Sequence, residues 1–288
     1  MTSIDWQGRY LRLVETICKI RKQNSDPLAI EPPPRNIPPE LVNSFTMDGR
    51  AELLDLYFDS RNDQTSLSVL VPYYKKDVET IKNNVSLGIY KSYGRTNKWL
   101  KDAFAKYPIA EKTVLVCGST YPQYECFVLL YGGRAVTVEY NPRISDHPEL
   151  SFFTPDQWVK YGFPVDSVLS ISSFEHDGLG RYGDPIDPEG DLKAMKQLLS
   201  GSLRSGGLLY LSVPIGIDAV VFNAHRIYGY HRLPLLLSGW KVLDVFNDLN
   251  KNLYEVDEHG SIRIDPSDWK KHFKLSKSAE EWVFVLQK

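Results

Sequence analysis

The chain has 288 residues, a formal net charge of −2, 24% charged residues and 42% hydrophobic residues. That length allows one large α/β domain with an N-terminal extension, and the composition is that of an ordinary globular protein. The near-neutral charge excludes the basic excess that a general binder of nucleic acid or of membrane surfaces would need.

Residues 4–22 place Ile4, Leu11, Val14, Ile17 and Cys18 at helical spacing, which predicts an amphipathic helix. Arg9, Arg12, Glu15 and Lys19 interrupt it, so it has no signal-peptide core, and no window is apolar over a bilayer-spanning length. With Cys18, Cys117 and Cys126 read as reduced thiols, these features lead to the expectation of a cytoplasmic protein. From Pro27 to Pro39 the run PLAIEPPPRNIPP reads as an extended surface connector, because proline removes donors and fixes φ. Residues 50–58 (RAELLDLYF) and 75–106 read as helical. Tyr73, Tyr74, Tyr90 and Tyr93 in this region are aromatics that either line a pocket or pack in the core.

From Lys112 onward strands and helices alternate, with strands expected at 113–118, 134–140, about 150–153, 166–172, 207–213, 240–246 and 281–287. The first unit carries the most information: TVLVCGST, then YPQYECFVLLYGG, then RAVTVEYNP. A strand that stops at Gly118 and reopens as a helix aims backbone N–H groups at the carboxyl edge of a parallel sheet. Glu139 ends the next strand about twenty residues later, where nucleotide-binding α/β folds place the carboxylate that accepts ribose hydroxyls.

The order of these pieces over residues 112–288 resembles the class I S-adenosylmethionine-dependent methyltransferases. FPVDSVLSISSFEH is similar to their fourth strand, and LRSGGLLYLSVPIG is similar to their fifth, reached through a glycine turn. The strings EHDGLGRYGDPIDPEGD and VPIGIDAVVFNAHRIYG resemble a methyltransferase-like family known as domain of unknown function 268, a resemblance that brings a fold and no substrate. The resemblance implies a Rossmann-like methyltransferase fold, with a mostly parallel seven-stranded sheet, helices on both faces and a helical, proline-containing extension. The extension is expected at residues 1–111 and the α/β domain at 112–288.

The resemblance also implies S-adenosylmethionine as cofactor, held by Gly118, Ser119, Thr120 and Glu139. The chain departs from the family pattern at Val116, Thr120 and Pro122, where methyltransferases commonly carry an acid and further glycines. A side chain at Thr120 crowds the approach that glycine permits. Glu125, in the first turn of the following helix, either supplies the missing carboxylate or favours the helix dipole.

Methyl transfer is an in-line displacement, so the protein must align donor and acceptor and remove a proton from a hydroxyl acceptor. Catalytic candidates therefore belong at the ends of the fourth and fifth strands: Glu175 and His176 after the former, Asn223 and His225 after the latter. Arg181 and Arg226 are candidates to clamp an anionic acceptor, with a salt bridge from Arg181 to Asp184 or Asp187 as the structural alternative. The loop DGLGRYGDPIDPEGD, rich in glycine and proline, reads as a shaped loop over the ligand and lacks the phosphate-loop pattern.

No HxxxH or CxxC spacing supports a metal site. An NPPY-type motif is absent after the fourth strand, which favours a small-molecule or sugar hydroxyl acceptor with no nucleic-acid partner. Two rival readings are a non-catalytic Rossmann-type binding module with a degenerate cofactor turn, and an enzyme using another nucleotide, such as a sugar-nucleotide transferase.

Overall fold

The computed structural model describes residues 32–60, 71–140, 143–248, 253–274 and 279–288. The helix expected at 4–22, Cys18 and the start of the proline segment lie outside the described residues. After a 3-10 turn at Pro39–Leu41 come α1 (Val42–Phe45), β1 (Glu52–Leu56), β2 (Val71–Tyr73), α2 (Lys75–Ser86) and α3 (Gly94–Lys106). Next are β3 (Thr113–Cys117), α4 (Gln123–Leu130), β4 (Arg134–Val138), β5 (Arg143–Ser145), β6 (Leu150–Phe153), α5 (Pro155–Tyr161) and β7 (Val165–Ile171). A 3-10 turn at Phe174–His176 leads to α6 (Gly190–Gln197), β8 (Leu203–Ile215), β9 (Ala219–Asn223), β10 (His225–Ile227) and α7 (Arg232–Leu236). The chain continues through β11 (Lys241–Phe246), β12 (Tyr254–Val256), β13 (Ile262–Ile264), α8 (Pro266–His272) and β14 (Glu280–Gln287).

The main sheet has seven strands in the order β11-β14-β8-β7-β3-β4-β6. β6, β4, β3, β7 and β8 are mutually parallel, and β14 runs antiparallel to both of its neighbours. The sheet reverses direction of growth between β3 and β7, which opens a crevice at the carboxyl ends of those two strands. Central strands are apolar on both faces because helices cover both: Val114, Leu115, Val168, Leu169, Leu209 and Leu211 are all buried. α3 packs on β14, β11 and β8, while α4 packs on β3 and β4 and carries α2 on its other side.

The seven expected strands of the sheet are all present. The region 75–106 forms two helices, broken where Gly88 takes a φ of 77° and Tyr93 one of 57°. The fifth strand is longer than expected. It begins at Leu203, because Gly206 and its neighbours form an irregular stretch within β8 opposite Val165 and Ser167.

The helix expected at residues 50–58 is instead a strand. β1 pairs in parallel with β9, Glu52 opposite Ala219 and Leu56 opposite Asn223, in a small sheet of order β1-β9-β10. The edge of β9 offers its backbone a complete ladder, and this tertiary pairing overrides the helix-forming side chains. Of the five residues only Leu54 is half-buried, against Ala219, Val221, Ala224 and Ile227.

The end of the proline segment is also more than a surface connector. Pro33 and Ile37 are buried. Ile37 and Phe45 form a cluster with Leu179, Val220 and Phe222, in which the Phe45 and Phe222 rings meet edge-on at 6.0 Å.

Candidate functional site

The crevice holds a cavity of about 580 Å³, a size suited to a small-molecule ligand. Its floor is the turn after β3. Gly118 has a φ of 72°, and a Cβ there would stand 2.3 Å from Ser173 Oγ, so only glycine lets the loop after β7 come so close. The Gly118 N–H donates to Val138 O, and the next amide, Ser119 N–H, donates to Glu139 Oε2 at 2.6 Å. The turn and the acid of β4 are thereby locked together on one wall. Tyr73 fixes the turn from behind by donating its hydroxyl to Ser119 O at 3.3 Å.

Of the residues expected to hold a cofactor, Gly118, Ser119, Thr120 and Glu139 line this cavity. Thr120 is exposed, so its side chain projects from the turn. Glu125 does not line the cavity. It is fully buried beneath the turn, where its Oε1 accepts from Thr137 Oγ1 at 2.9 Å. Burial pushes its carboxyl up to about 7. Val116, at the place of the family's acid, is a core residue of β3.

On the opposite wall His176 lines the cavity, with its Nδ1 at 2.6 Å from Ala224 O. A carbonyl only accepts, so the ring carries its hydrogen on Nδ1 and Nε2 keeps its lone pair, 3.6 Å from Glu175 Oε1. Burial pushes this imidazole down to about 3 and keeps it neutral. Glu175 is fully buried just behind the wall and accepts a hydrogen bond from Ser172 Oγ, which does line the cavity.

Four of the sequence candidates fall elsewhere. Asn223 is buried with its side chain turned to Phe58, accepting from the Phe58 N–H at 2.7 Å and donating to its carbonyl at 2.8 Å. It clamps the chain after β1. His225 lies in β10 outside the cavity lining. Arg226 is wholly buried and donates to Asp177 O at 2.5 Å and Asp187 O at 3.1 Å, so it braces the glycine loop from inside and cannot meet an acceptor.

Arg181 lies over the Phe58 ring at 4.5 Å and donates to Ser60 Oγ at 3.2 Å and Ala224 O at 3.4 Å. The alternative partners proposed for it are engaged elsewhere. Asp184 accepts from the amides of Gly178, Gly180 and Tyr182, and Asp187 pairs with Lys193 at 2.6 Å. Asn223, His225 and Arg226 fall there for one reason: beyond β8 the chain leaves the main sheet to build β9 and β10.

The loop after β7 does cover the cavity. Gly178 has a φ of 82° and touches Asp187 O so closely that no side chain fits, while Asp184 gathers the loop's amides. Asp177, Tyr182 and Asp184 line the cavity, and Tyr93 reaches it from the start of α3. Burial first, and then Asp184, push the Asp177 carboxyl well above its usual range. Tyr93 was visible as one of the tyrosines before the first long strand. Asp184 and Tyr182 carried no signal beyond the loop's composition.

Cys117 and Cys126 are free and buried, and burial pushes both thiols up. Among the described residues no group of three or more His, Cys, Asp or Glu is arranged to hold a metal ion, and no helix is long and apolar enough to cross a membrane.

Counted from its first strand along the chain, the sheet is ordered third, second, first, fourth, fifth, seventh, sixth, with the seventh reversed. That order, with the glycine turn and the acid at the end of the second strand, defines the class I methyltransferase-like fold. The chain belongs to the family described as Caenorhabditis protein of unknown function, DUF268, whose model matches residues 111–275.

No curated protein matches the chain in sequence. Among solved structures it is similar to TehB from Haemophilus influenzae, with 13% identity, a TM-score of 0.44, 72% of this chain covered and 66% of that one. It is also similar to the 1,6-didemethyltoxoflavin-N1-methyltransferase of Burkholderia thailandensis with bound S-adenosylhomocysteine, at 12% identity, a TM-score of 0.44, and 73% and 86% coverage. A third is the [4+2]-cyclase SpnF, at 12% identity, a TM-score of 0.44, and 83% and 99% coverage. Likeness at this level does not carry an activity from one protein to another.

Proposed function

We propose that the protein is an S-adenosylmethionine-dependent methyltransferase acting on a small-molecule or sugar hydroxyl. The observation that carries this reading is the bond from Ser119 N–H to Glu139 Oε2, which sets a glycine turn and a carboxylate side by side at the mouth of the switch-point crevice. The residues present fit the cofactor. Glu139 would hold the ribose hydroxyls, and the Gly118–Thr120 turn would face the rest of the ligand. The wall acids Glu139 and Asp184 suit a ligand that carries a positive charge. When bound, the cofactor supplies an electrophilic methyl group. The chain's own task is to align the acceptor beside His176, Ser172 and Tyr93, to exclude water with the loop of Gly178–Asp187, and to receive the acceptor's proton. Arg226 is turned away from the cavity and Arg181 is held by Ser60 and Ala224, so neither arginine is offered as a clamp on the acceptor.

The test is calorimetric titration with S-adenosylhomocysteine, which needs no knowledge of the acceptor. Binding in the micromolar range, about −8 kcal/mol, is expected. Glu139→Ala should weaken it by roughly 1–3 kcal/mol, the cost of leaving ligand hydroxyls without their acceptor. No heat at millimolar ligand would overturn the reading and favour a binding module or a different nucleotide.

A further inference from the structure

The small sheet and the segment after β1 reach the acceptor wall of the cavity through one arginine. Arg181, in the glycine loop, lies between two aromatic rings, its guanidinium carbon 4.5 Å from the centre of Phe58 and 5.1 Å from that of Tyr182. Its Nε donates to Ser60 Oγ at 3.2 Å, and its backbone carbonyl accepts from the Ser60 N–H at 3.1 Å. A further guanidinium nitrogen donates at 3.4 Å to the carbonyl of Ala224, the residue between β9 and β10.

Two residues of the cavity lining lean on this bracket. His176 gives its Nδ1 hydrogen to the same Ala224 carbonyl at 2.6 Å, and Tyr182 meets the imidazole edge-on with ring centres 5.5 Å apart. A carbonyl oxygen has two lone pairs, so Ala224 O takes both hydrogens and offers none. His176 Nε2 is left bare, and its 3.6 Å separation from Glu175 Oε1 is too long for a hydrogen bond. The imidazole therefore brings a lone pair of fixed direction to the cavity wall.

We propose that Arg181 is a positioning residue for the acceptor: it braces Ala224 O and the Tyr182 ring against His176, so that Nε2 accepts the hydrogen of the group to be methylated. The inference rests on the methyltransferase reading and deepens it. It defines the acceptor as a molecule with a hydrogen on its reacting atom, and it makes Phe58 and Ser60, far upstream of the glycine turn, part of the site. A hydroxyl held by its hydrogen keeps its oxygen lone pairs free for the incoming methyl carbon.

The groups around the imidazole suit an acceptor of hydrogen bonds better than a store for protons. Burial pushes its pKa down to about 3, with the Ala224 carbonyl opposing and Arg181, His225 and Arg226 adding to the fall. Burial first of all also pushes the neighbouring carboxyls of Glu175 and Asp177 well above the usual range, so neither offers the ring a compensating negative charge. Nε2 thus keeps its lone pair across the neutral and mildly acidic range.

The first test is nitrogen NMR of the full-length protein labelled at the histidine ring nitrogens, with urea denaturation to confirm that each variant folds cooperatively. Wild-type His176, identified by the signal lost in His176→Asn, should carry its hydrogen on Nδ1 and stay neutral from about pH 7 to about pH 5. Arg181→Gln loses both the charge and the stacked fork. It should mix in the Nε2–H tautomer and raise the pKa toward the ordinary value of about 6.5. Arg181→Lys keeps the charge without the fork, so it should hold the pKa low while still mixing the tautomers. A hydrogen on Nε2 in the wild type, or a tautomer indifferent to Arg181→Gln, would overturn the proposal.

The second test adds phenol or anisole, probes that differ at the oxygen by a hydrogen against a methyl group, with and without S-adenosylhomocysteine. Phenol should move the Nε2 resonance, anisole should leave it in place, and in Arg181→Gln the phenol response should fall severalfold. Equal responses to the two probes, or none to phenol at high millimolar concentration, would remove Nε2 from the acceptor site. If S-adenosylhomocysteine gave no heat while phenol still moved Nε2, the methyltransferase reading would fail and the oriented imidazole would stand. Binding of S-adenosylhomocysteine with an Nε2 that ignored phenol would defeat the positioning role alone.

Discussion

Glu125 and Glu139 flank the same turn with opposite assignments, and the difference lies in direction. Glu139 ends a strand at the crevice, so its spacing from Gly118 was enough to place it. Glu125 sits in the first turn of α4, where only the helix's rotation decides whether a side chain faces the ligand or the sheet, and that rotation turned it to Thr137. Its pKa is raised from the ordinary carboxylate value to about 7 by burial. The folded state therefore holds this proton more tightly than the unfolded chain does. That stability is fully present below the ordinary value and is lost as pH rises through about 7. Glu125→Gln keeps the acceptor for Thr137 and removes the charge. It should narrow the fall in stability between about pH 5 and pH 8 by on the order of 3 kcal/mol, read from urea denaturation at both values. The affinity for S-adenosylhomocysteine should stay within about twofold of wild type, since a buried residue turned from the ligand leaves its contacts intact. A large loss of affinity would return Glu125 to the ligand.

The elements of the main sheet were legible because buried parallel strands read as short apolar runs between turns, whatever surrounds them. β1 was not legible. RAELLDLYF has the side chains of a helix, and what makes it a strand is the edge of β9, a partner that local sequence cannot announce. Asn223 and Arg226 misled for a related reason. Their strand follows β8, so they were assigned to the crevice, whereas the chain there turns aside into β9 and β10. Asn223 instead satisfies both backbone groups of Phe58, 165 positions away. Asn223→Ala should cost about 1–3 kcal/mol in urea denaturation, the penalty for stranding those groups. Because it stands outside the cavity, ligand affinity should be spared. Loss of binding with unchanged stability would place Asn223 in the site after all.

At the scale of the whole molecule, the small sheet is tied to α6 and α7 by a buried ionic knot. Asp191 accepts from Arg232 Nε at 2.9 Å and from Tyr228 Oη at 2.8 Å, and faces Arg226 at 3.8 Å. Burial alone would push its carboxyl up, yet the two guanidinium groups and the tyrosine hold it below the usual range. A depressed carboxyl contributes stability above its unfolded pKa and loses it as pH falls through the folded value, so the knot weakens in acid. Asp191→Asn should lose about 3–5 kcal/mol at neutral pH, because it leaves two buried cations unpaired. It should also flatten the acid limb of the stability curve, as urea denaturation followed down the pH scale would show. An unchanged acid limb would move the molecule's acid sensitivity elsewhere.

The strand order itself was not readable from periodicity and entered through the resemblance of whole segments. Glu281 escaped notice for the same reason: nothing in EEWVF says that its strand runs backwards and so brings an acid to the carboxyl edge. That reversed strand also governs how the protein can be made. β14 fits between β8 and β11, so a ribosome must deliver both neighbours before the strand that joins them. Until then the LLYLSV run of β8 offers an unpaired apolar edge, the kind of template on which nascent chains stick to one another. The strand that closes this gap also carries Glu281, linked to Ser212 across 69 positions. The covering of this apolar edge and the Glu281–Ser212 contact are therefore completed by the same late event.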